Sequence, residues 1–290
     1  MSALPVNTFR KIGDMIALTR PHNCLIALVS VLAGAFLASG RIAPDAVLSS
    51  VMAFLVCGGA YVLNDLYDVA SDAVNKPGRP LAAGRLGRDS AGALVIGLWA
   101  LGLGSAILAG RETVVFSVGW MAALWLYSCK LKALGIAGHI AVSAIASSGF
   151  LLGALAGGDA GAGWMPFAIA LFFHLAREIA KGVSDVRGDH MAGAATLAVR
   201  LGADRSLKAA LWCIGGVMGL SLIPYVFHLY GYLYLLPVVL VVYPLLVICI
   251  VKIIRAGNDE ARAERVSRAV ATLLKAAMPA GLIAFFLAGV

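Results

Sequence analysis

Uncharged apolar runs follow one another along nearly the whole chain, separated by short clusters of charge. Residues 21–40, 46–64, 90–110, 113–129, 133–158 and 160–176 are each such a run, and 209–251 continues for 43 residues without Lys, Arg, Asp or Glu. About 20 apolar residues in a helix cross the hydrocarbon core of a bilayer. Each shorter run therefore predicts one span and the long run two, broken at Pro224, His228 and Gly231. A last run, 269–290, holds only Lys275, placed where a long side chain can snorkel to the interface. The pattern predicts an all-α polytopic membrane protein, with nine transmembrane helices in one bundle that form a single domain over residues 1–290. Within the fifth span Gly149, Gly153 and Gly157 make a stripe of small residues at every fourth position, which predicts close helix packing.

Composition narrows the class. With 61% hydrophobic residues, 13% charged and a mean hydropathy of +0.92, the chain is neither a soluble domain, which carries about 25% charged residues, nor a disordered one. The net charge of +8 accordingly predicts basic loops against a cytoplasmic leaflet, not a nucleic-acid partner. Alternating nine spans across the membrane puts twenty of the 23 Lys and Arg on the side of the N-terminus and only Arg41 and Arg111 on the other. The positive-inside rule then predicts the N-terminus inside and the C-terminus outside. Arg10, Lys11 and Asp14 interrupt any apolar stretch before Ala17, so no cleavable signal peptide is expected there. The five cysteines lie in apolar runs with no C-x-x-C, which predicts buried hydrophobes with neither disulfides nor zinc. The five histidines show no metal-ligand spacing, and no glycine-rich nucleotide motif follows a strand signal.

Acidic residues are scarce, and six of the fifteen fall in two clusters. The first, Asn64-Asp65-Leu66-Tyr67-Asp68-Val69-Ala70-Ser71-Asp72, ends the second span; the second, from Arg177-Glu178 through Lys181 to Asp185 and Asp189, ends the sixth. Four spans separate them, so both emerge on one membrane face. Helical spacing puts Asp65, Asp68 and Asp72 on one side of a helix, and Arg177, Lys181, Asp185 and Asp189 in one stripe if the helix persists. Carboxylates stacked in this way repel unless a cation lies between them. Carboxylate and amide oxygens suit hard cations, and Mg²⁺ is commonly held by a few carboxylates together with substrate phosphates. A diphosphate is thereby implied, with Lys76, Arg79, Lys130, Lys132 and Lys181 available to neutralise its free oxygens.

These residues resemble a known family. N-D-x-x-D-x-x-x-D at 64–72, K-P-G-R-P at 76–80 and K-x-x-x-D-x-x-G-D at 181–189 are similar to the two signature motifs of the UbiA superfamily of intramembrane prenyltransferases. The resemblance implies nine helices, and two Mg²⁺ ions that bind the diphosphate of a polyprenyl donor in a bundle open sideways to lipid. It implies Asn64, Asp68 and Asp72 for one ion, with Asp65 a weaker further candidate among the metal residues, and Asp185 and Asp189 for the other. Lys76, Arg79, Lys130 and Lys181 then grip the phosphates, Arg20 and Asn23 meet the acceptor or the diphosphate, and Tyr67, Tyr127, Phe150 and Phe172 are candidates to shield an allylic cation. Asp68, Asp72, Asp185, Asp189 and Lys181 form the expected catalytic set.

Thr19-Arg20-Pro21-His22-Asn23-Cys24, Asn75–Pro80 and Gly193–Leu197 look most like the geranylgeranyltransferase branch of ether-lipid synthesis, whose acceptor is a glycerol-phosphate hydroxyl. This chain departs from that branch at Gly182 and Arg187, where acidic residues are usual. The partners implied are a polyprenyl diphosphate, a lipid-soluble or glycerol-phosphate acceptor and membrane lipid, in a multi-pass protein of the cell membrane whose site opens to the cytoplasm. Two other readings share these features: the same cation attacked by an aromatic ring, as in quinone or pigment synthesis, and an ion-coupled carrier.

Overall fold

The computed structural model describes residues 4–191, 193–257 and 259–289; among them it is helical, with no strand. The first helix, α1 (Leu4–Thr19), is not one of the spans expected from sequence. Its exposed Phe9, Ile12 and Ile16 recur at helical spacing beside Arg10 and Lys11, the pattern of a helix that lies along an interface.

Eight helices among the described residues are long and apolar enough to cross a membrane. They are α2 (Pro21–Ser39), α3 (Pro44–Tyr67), α5 (Arg88–Ala109), α6 (Arg111–Cys129), the pair α7 (Ile136–Ser147) and α8 (Gly149–Gly157), α11 (Leu197–Val226), the run from α12 (Tyr232–Pro237) into α13 (Tyr243–Ala256), and α14 (Glu260–Ala288). Two short helices, α4 (Val69–Asn75) and α10 (Val186–Met191), follow α3 and α9 (Trp164–Ser184). The helix α9 is the remaining expected span. It is 21 residues long, but Arg177, Glu178 and Lys181 near its end lower its apolar character. Its buried residues Ile169, Phe173, Ala176 and Ala180 pack on α7, α11 and α14.

Proline and backbone conformation explain the breaks. Pro21 and Pro44 begin α2 and α3 at the first helical position, where no amide hydrogen is needed. The long apolar run breaks as expected between Val226 and Gly231, with His228 at φ +56°. Pro237 precedes a π-helical turn at Val238–Val242 that joins α12 to α13. The glycine stripe brings α8 onto α2: a Cβ on Gly153 would come within 2.8 Å of the Val31 carbonyl carbon, so only glycine permits this approach. Apolar clusters on the two sides, one around Met52, Val56 and Leu152 and one around Ile214, Leu246 and Leu274, leave a chamber between α2, α3, α6, α7, α9 and α14.

Candidate active site

Both acidic motifs straddle a helix break. The helix α3 ends at Tyr67, Asp68 takes φ −91° and ψ 4°, and α4 begins at Val69; α9 ends at Ser184, Asp185 takes φ −99° and ψ 1°, and α10 begins at Val186. The continuous stripe Arg177, Lys181, Asp185, Asp189 expected of one helix is therefore interrupted. The turns instead leave Asp68 and Asp72 of one motif and Asp185 and Asp189 of the other lining one cleft. Asn75, at the end of α4, locks the two together: its side-chain amide donates to the Asp185 carbonyl at 2.8 Å and its oxygen accepts from the Gly188 amide at 3.0 Å. A Cβ on Gly188 would lie 2.6 Å from the Ser71 carbonyl oxygen, which accounts for the glycine in the second motif.

Between the motifs lies a cleft, about 530 Å³ of empty space counting its mouth, walled by Asn64, Asp68, Asp72, Asp185, Asp189 and their cations. Lys132 pairs with Asp68, Arg79 with Asp72, and Lys76 with Asp185 at 2.5 Å. Asp65 is buried behind the wall, bound by Arg20 and, at 3.0 Å, by Arg79. Arg20 itself takes a left-handed conformation (φ +49°) and lies 4.7 Å from the Tyr61 ring centroid, a strained backbone held by an ion pair and a cation–π contact. Asp189 makes no ion pair among the described residues. Burial pushes its carboxyl up to about 6; Lys132 pulls against the rise, and Asp185 and Asp68 add to it.

The cleft opens into the chamber, about 1240 Å³ of empty space counting its mouth, through Asn64, Tyr127, Lys132, Glu178 and Lys181, which line both. Arg20 and Asn23 lie in the chamber wall. Beyond it an apolar cavity, about 600 Å³ of empty space counting its opening, continues past Phe150, Phe173 and Phe285, with Ile26, His174 and Met278 common to the two.

Four expectations change. Lys130 is exposed and lines neither space, because the backbone turns after Cys129 and delivers Lys132 in its place. Tyr67 is 49% exposed and Phe172 packs against Gly216, so neither walls the chamber; Tyr61 and Tyr127 do. Lys275 faces the chamber and not the interface. Asp65 stands outside both spaces, as a counter-charge for two arginines. The departures at Gly182 and Arg187 have local reasons: the His139 ring lies 3.4 Å from where a Gly182 Cβ would be, and Arg187 points outward to Glu264 at 3.4 Å. Sequence reasoning missed Asn75 and the pairing of Arg177 and Lys181 with Glu178, at 2.7 and 3.3 Å. The signal available for Glu178 was an acid flanked by two cations at helical reach in an apolar span.

Among the described residues no three of His, Cys, Asp and Glu converge closely enough to hold one ion; the carboxylates are met by Lys and Arg instead. The donor set still fits Mg²⁺. It consists of hard oxygens on a single cleft, including Asn64 Oδ1, which is buried without a partner, and the counter-cations are of the type that bind phosphate oxygens.

The profile of the UbiA prenyltransferase family matches residues 27–274. Digeranylgeranylglyceryl phosphate synthase of Methanopyrus kandleri is 34% identical over 271 residues, covering 93% of this chain and 97% of that protein. A solved structure described as giving structural and mechanistic insights into digeranylgeranylglyceryl phosphate synthase in membranes superposes with a TM-score of 0.69 at 27% identity, covering 97% of this chain and 99% of that one. A UbiA homologue from Archaeoglobus fulgidus, solved with GPP and Mg²⁺, superposes with a TM-score of 0.68 at 19% identity over 92% of this chain and 99% of that one, a likeness of fold.

Proposed function

The chain belongs to the UbiA prenyltransferase family, and from that premise we propose that it transfers a geranylgeranyl group from its diphosphate to the hydroxyl of geranylgeranylglycerol phosphate, a step of ether-lipid synthesis. It is a multi-pass membrane prenyltransferase. The observation that carries the finer reading is the continuity of an acidic, cation-rimmed cleft with a chamber and an apolar cavity, arranged for a charged head and a long hydrocarbon.

In this reading Asn64, Asp68 and Asp72 hold one Mg²⁺ and Asp185 and Asp189 a second. The chemistry Mg²⁺ supplies when bound is stabilisation of the negative charge on the departing diphosphate. Lys76, Arg79, Lys132 and Lys181 take the remaining phosphate oxygens. As the donor's C–O bond ionises, the diphosphate leaves with the bonding pair and an allylic cation remains. Tyr61 and Tyr127 face that cation with π electrons, and the apolar walls keep water from it. The acceptor oxygen then forms the ether bond and its hydroxyl proton is released. The cleft lies on the side of the N-terminus, which the charge asymmetry of the loops makes cytoplasmic.

Purified protein with Mg²⁺, geranylgeranyl diphosphate and a choice of acceptors tests the reading. The expected product by mass is the diether phosphate. A prenylated aromatic acid with no ether would transfer the protein to quinone or pigment synthesis.

A further inference from the structure

The chamber carries a charge imbalance that the donor site does not use. Five cations line it: Arg20, Lys132, Arg177, Lys181 and Lys275. Arg20 is met by Asp65 and Lys132 by Asp68, whereas Arg177 and Lys181 share the single carboxylate of Glu178. Lys275 makes no ion pair among the described residues, and it shares the chamber wall with Arg177 and Arg20. With Lys181 given to the donor's diphosphate, Arg177 and Lys275 face the one carboxylate of Glu178, which leaves a positive charge uncompensated in a wall where Ile, Ala, Leu and Met side chains stand among Asn23, Tyr61, Tyr127 and His174. Charge in such surroundings is retained only where something compensates it. Arg177 also keeps its Nε buried without an acceptor.

Position separates this surplus from the diphosphate site. Arg177 and Lys275 line the chamber but not the acidic cleft. Both lie where the chamber passes into the apolar cavity: His174, one turn before Arg177 on α9, and Met278, one turn after Lys275 on α14, line the two spaces in common. A ligand that fits both spaces would have a compact anionic head and a long apolar chain. A phosphate monoester carries between about −1.5 and −2 at pH 7 and offers three strong acceptor oxygens, enough to meet the Lys275 ammonium and the unpartnered Arg177 Nε together.

We propose that Arg177 and Lys275 form an anion subsite for the phosphate monoester of the acceptor lipid, whose hydrocarbon chain enters the cavity lined by Phe150 and Phe285. This subsite rests on the glycerol-phosphate reading of the acceptor given above and identifies what in this chain recognises it.

The test compares geranylgeranylglycerol phosphate with the same lipid lacking its phosphate, in the wild type and in Lys275→Gln and Lys275→Arg. Lys275→Gln is expected to raise KM for the phosphorylated acceptor about tenfold or more, the loss typical of one charged hydrogen bond, with KM for the donor and for the dephosphorylated lipid within about twofold. Lys275→Arg retains most of the affinity. An equal rise for both acceptors, or a rise confined to the donor, overturns the subsite. Phosphatidic acid separates the acceptor from bilayer lipid as the source of the phosphate: competition as strong as the acceptor's own binding, abolished by Lys275→Gln, would make this a lipid site and overturn the assignment. A wild-type protein that prenylates only an aromatic acceptor removes the underlying reading, an outcome distinct from any change in the variants.

Discussion

At the residue scale, the protonation of Asp189 ties the site to pH. Its carboxyl sits at about 6, above the ordinary carboxylate value near 3.9. The anion binds Mg²⁺, so below pH 6 a proton competes and the apparent Mg²⁺ affinity falls about tenfold for each further pH unit, while above about pH 7 it is flat. Titrating the Mg²⁺ dependence of turnover between pH 5 and 8 checks this; a Mg²⁺ requirement independent of pH across that range would refute the role of Asp189 as a ligand. The two lysines after α6 give a second contrast. Lys132 reaches Asp68 and lines both spaces, whereas Lys130 is exposed. Lys132→Met is expected to lower kcat/KM about a hundredfold, because a charge-assisted contact to the leaving group is lost. Lys130→Met should stay within about twofold, as surface substitutions away from packed features do. Steady-state rates on the two variants separate them, and the opposite order would restore the reading from sequence.

At the element scale, the site depends on how two six- and seven-residue helices meet. Neither α10 nor α4 is long enough to be stable alone. What fixes them is Asn75, with both its amide nitrogen and its oxygen bound to the α10 segment, and the close contact of Gly188 with the Ser71 carbonyl. A methyl at Gly188 has to displace backbone and Asn75 together. Gly188→Ala is therefore expected to cost about 1–3 kcal/mol of stability, in the range of overpacked sites, and to weaken Mg²⁺-dependent donor binding more than the melting temperature alone suggests. Thermal melts with and without Mg²⁺ and donor check it. The sequence displayed the two motifs and their spacing because carboxylates stand out in an apolar chain. It did not display the breaks at Asp68 and Asp185, since no proline or glycine occupies either position and the turn follows from the packing of α4 on α10. Lys130 and Lys132 differ only in which way a short 3₁₀ turn at Leu131–Ala133 points them, a tertiary detail with no local signature. The amphipathic α1 was hidden for another reason: its charges remove it from a search for spans, although its apolar stripe is present at helical period.

At the scale of the whole molecule, hydropathy alone counts eight spans, because α9 carries three charges near its end. A contact between the motifs bears on the ninth. The helix α3 delivers Asn75 to one face of the membrane, and α5, α6 and the α7–α8 pair then cross three times. If α9 did not cross, Asp185 would emerge on the opposite face, some 30 Å of hydrocarbon away. Yet Asn75 and the Asp185 carbonyl are 2.8 Å apart. Parity thus favours α9 as a fourth crossing between the motifs, with its charged end in the polar cleft where Glu178 compensates Arg177 and Lys181. Nine crossings would put the two termini on opposite faces, and with twenty of 23 basic residues then on the face of the N-terminus the positive-inside rule predicts that face to be cytoplasmic. Fusing a fluorescent reporter that matures only in the cytoplasm to the N-terminus, and a phosphatase active only outside to the C-terminus, should give signal from both. A fluorescent reporter that matures at the C-terminus instead would return the count to eight and overturn the nine-span arrangement.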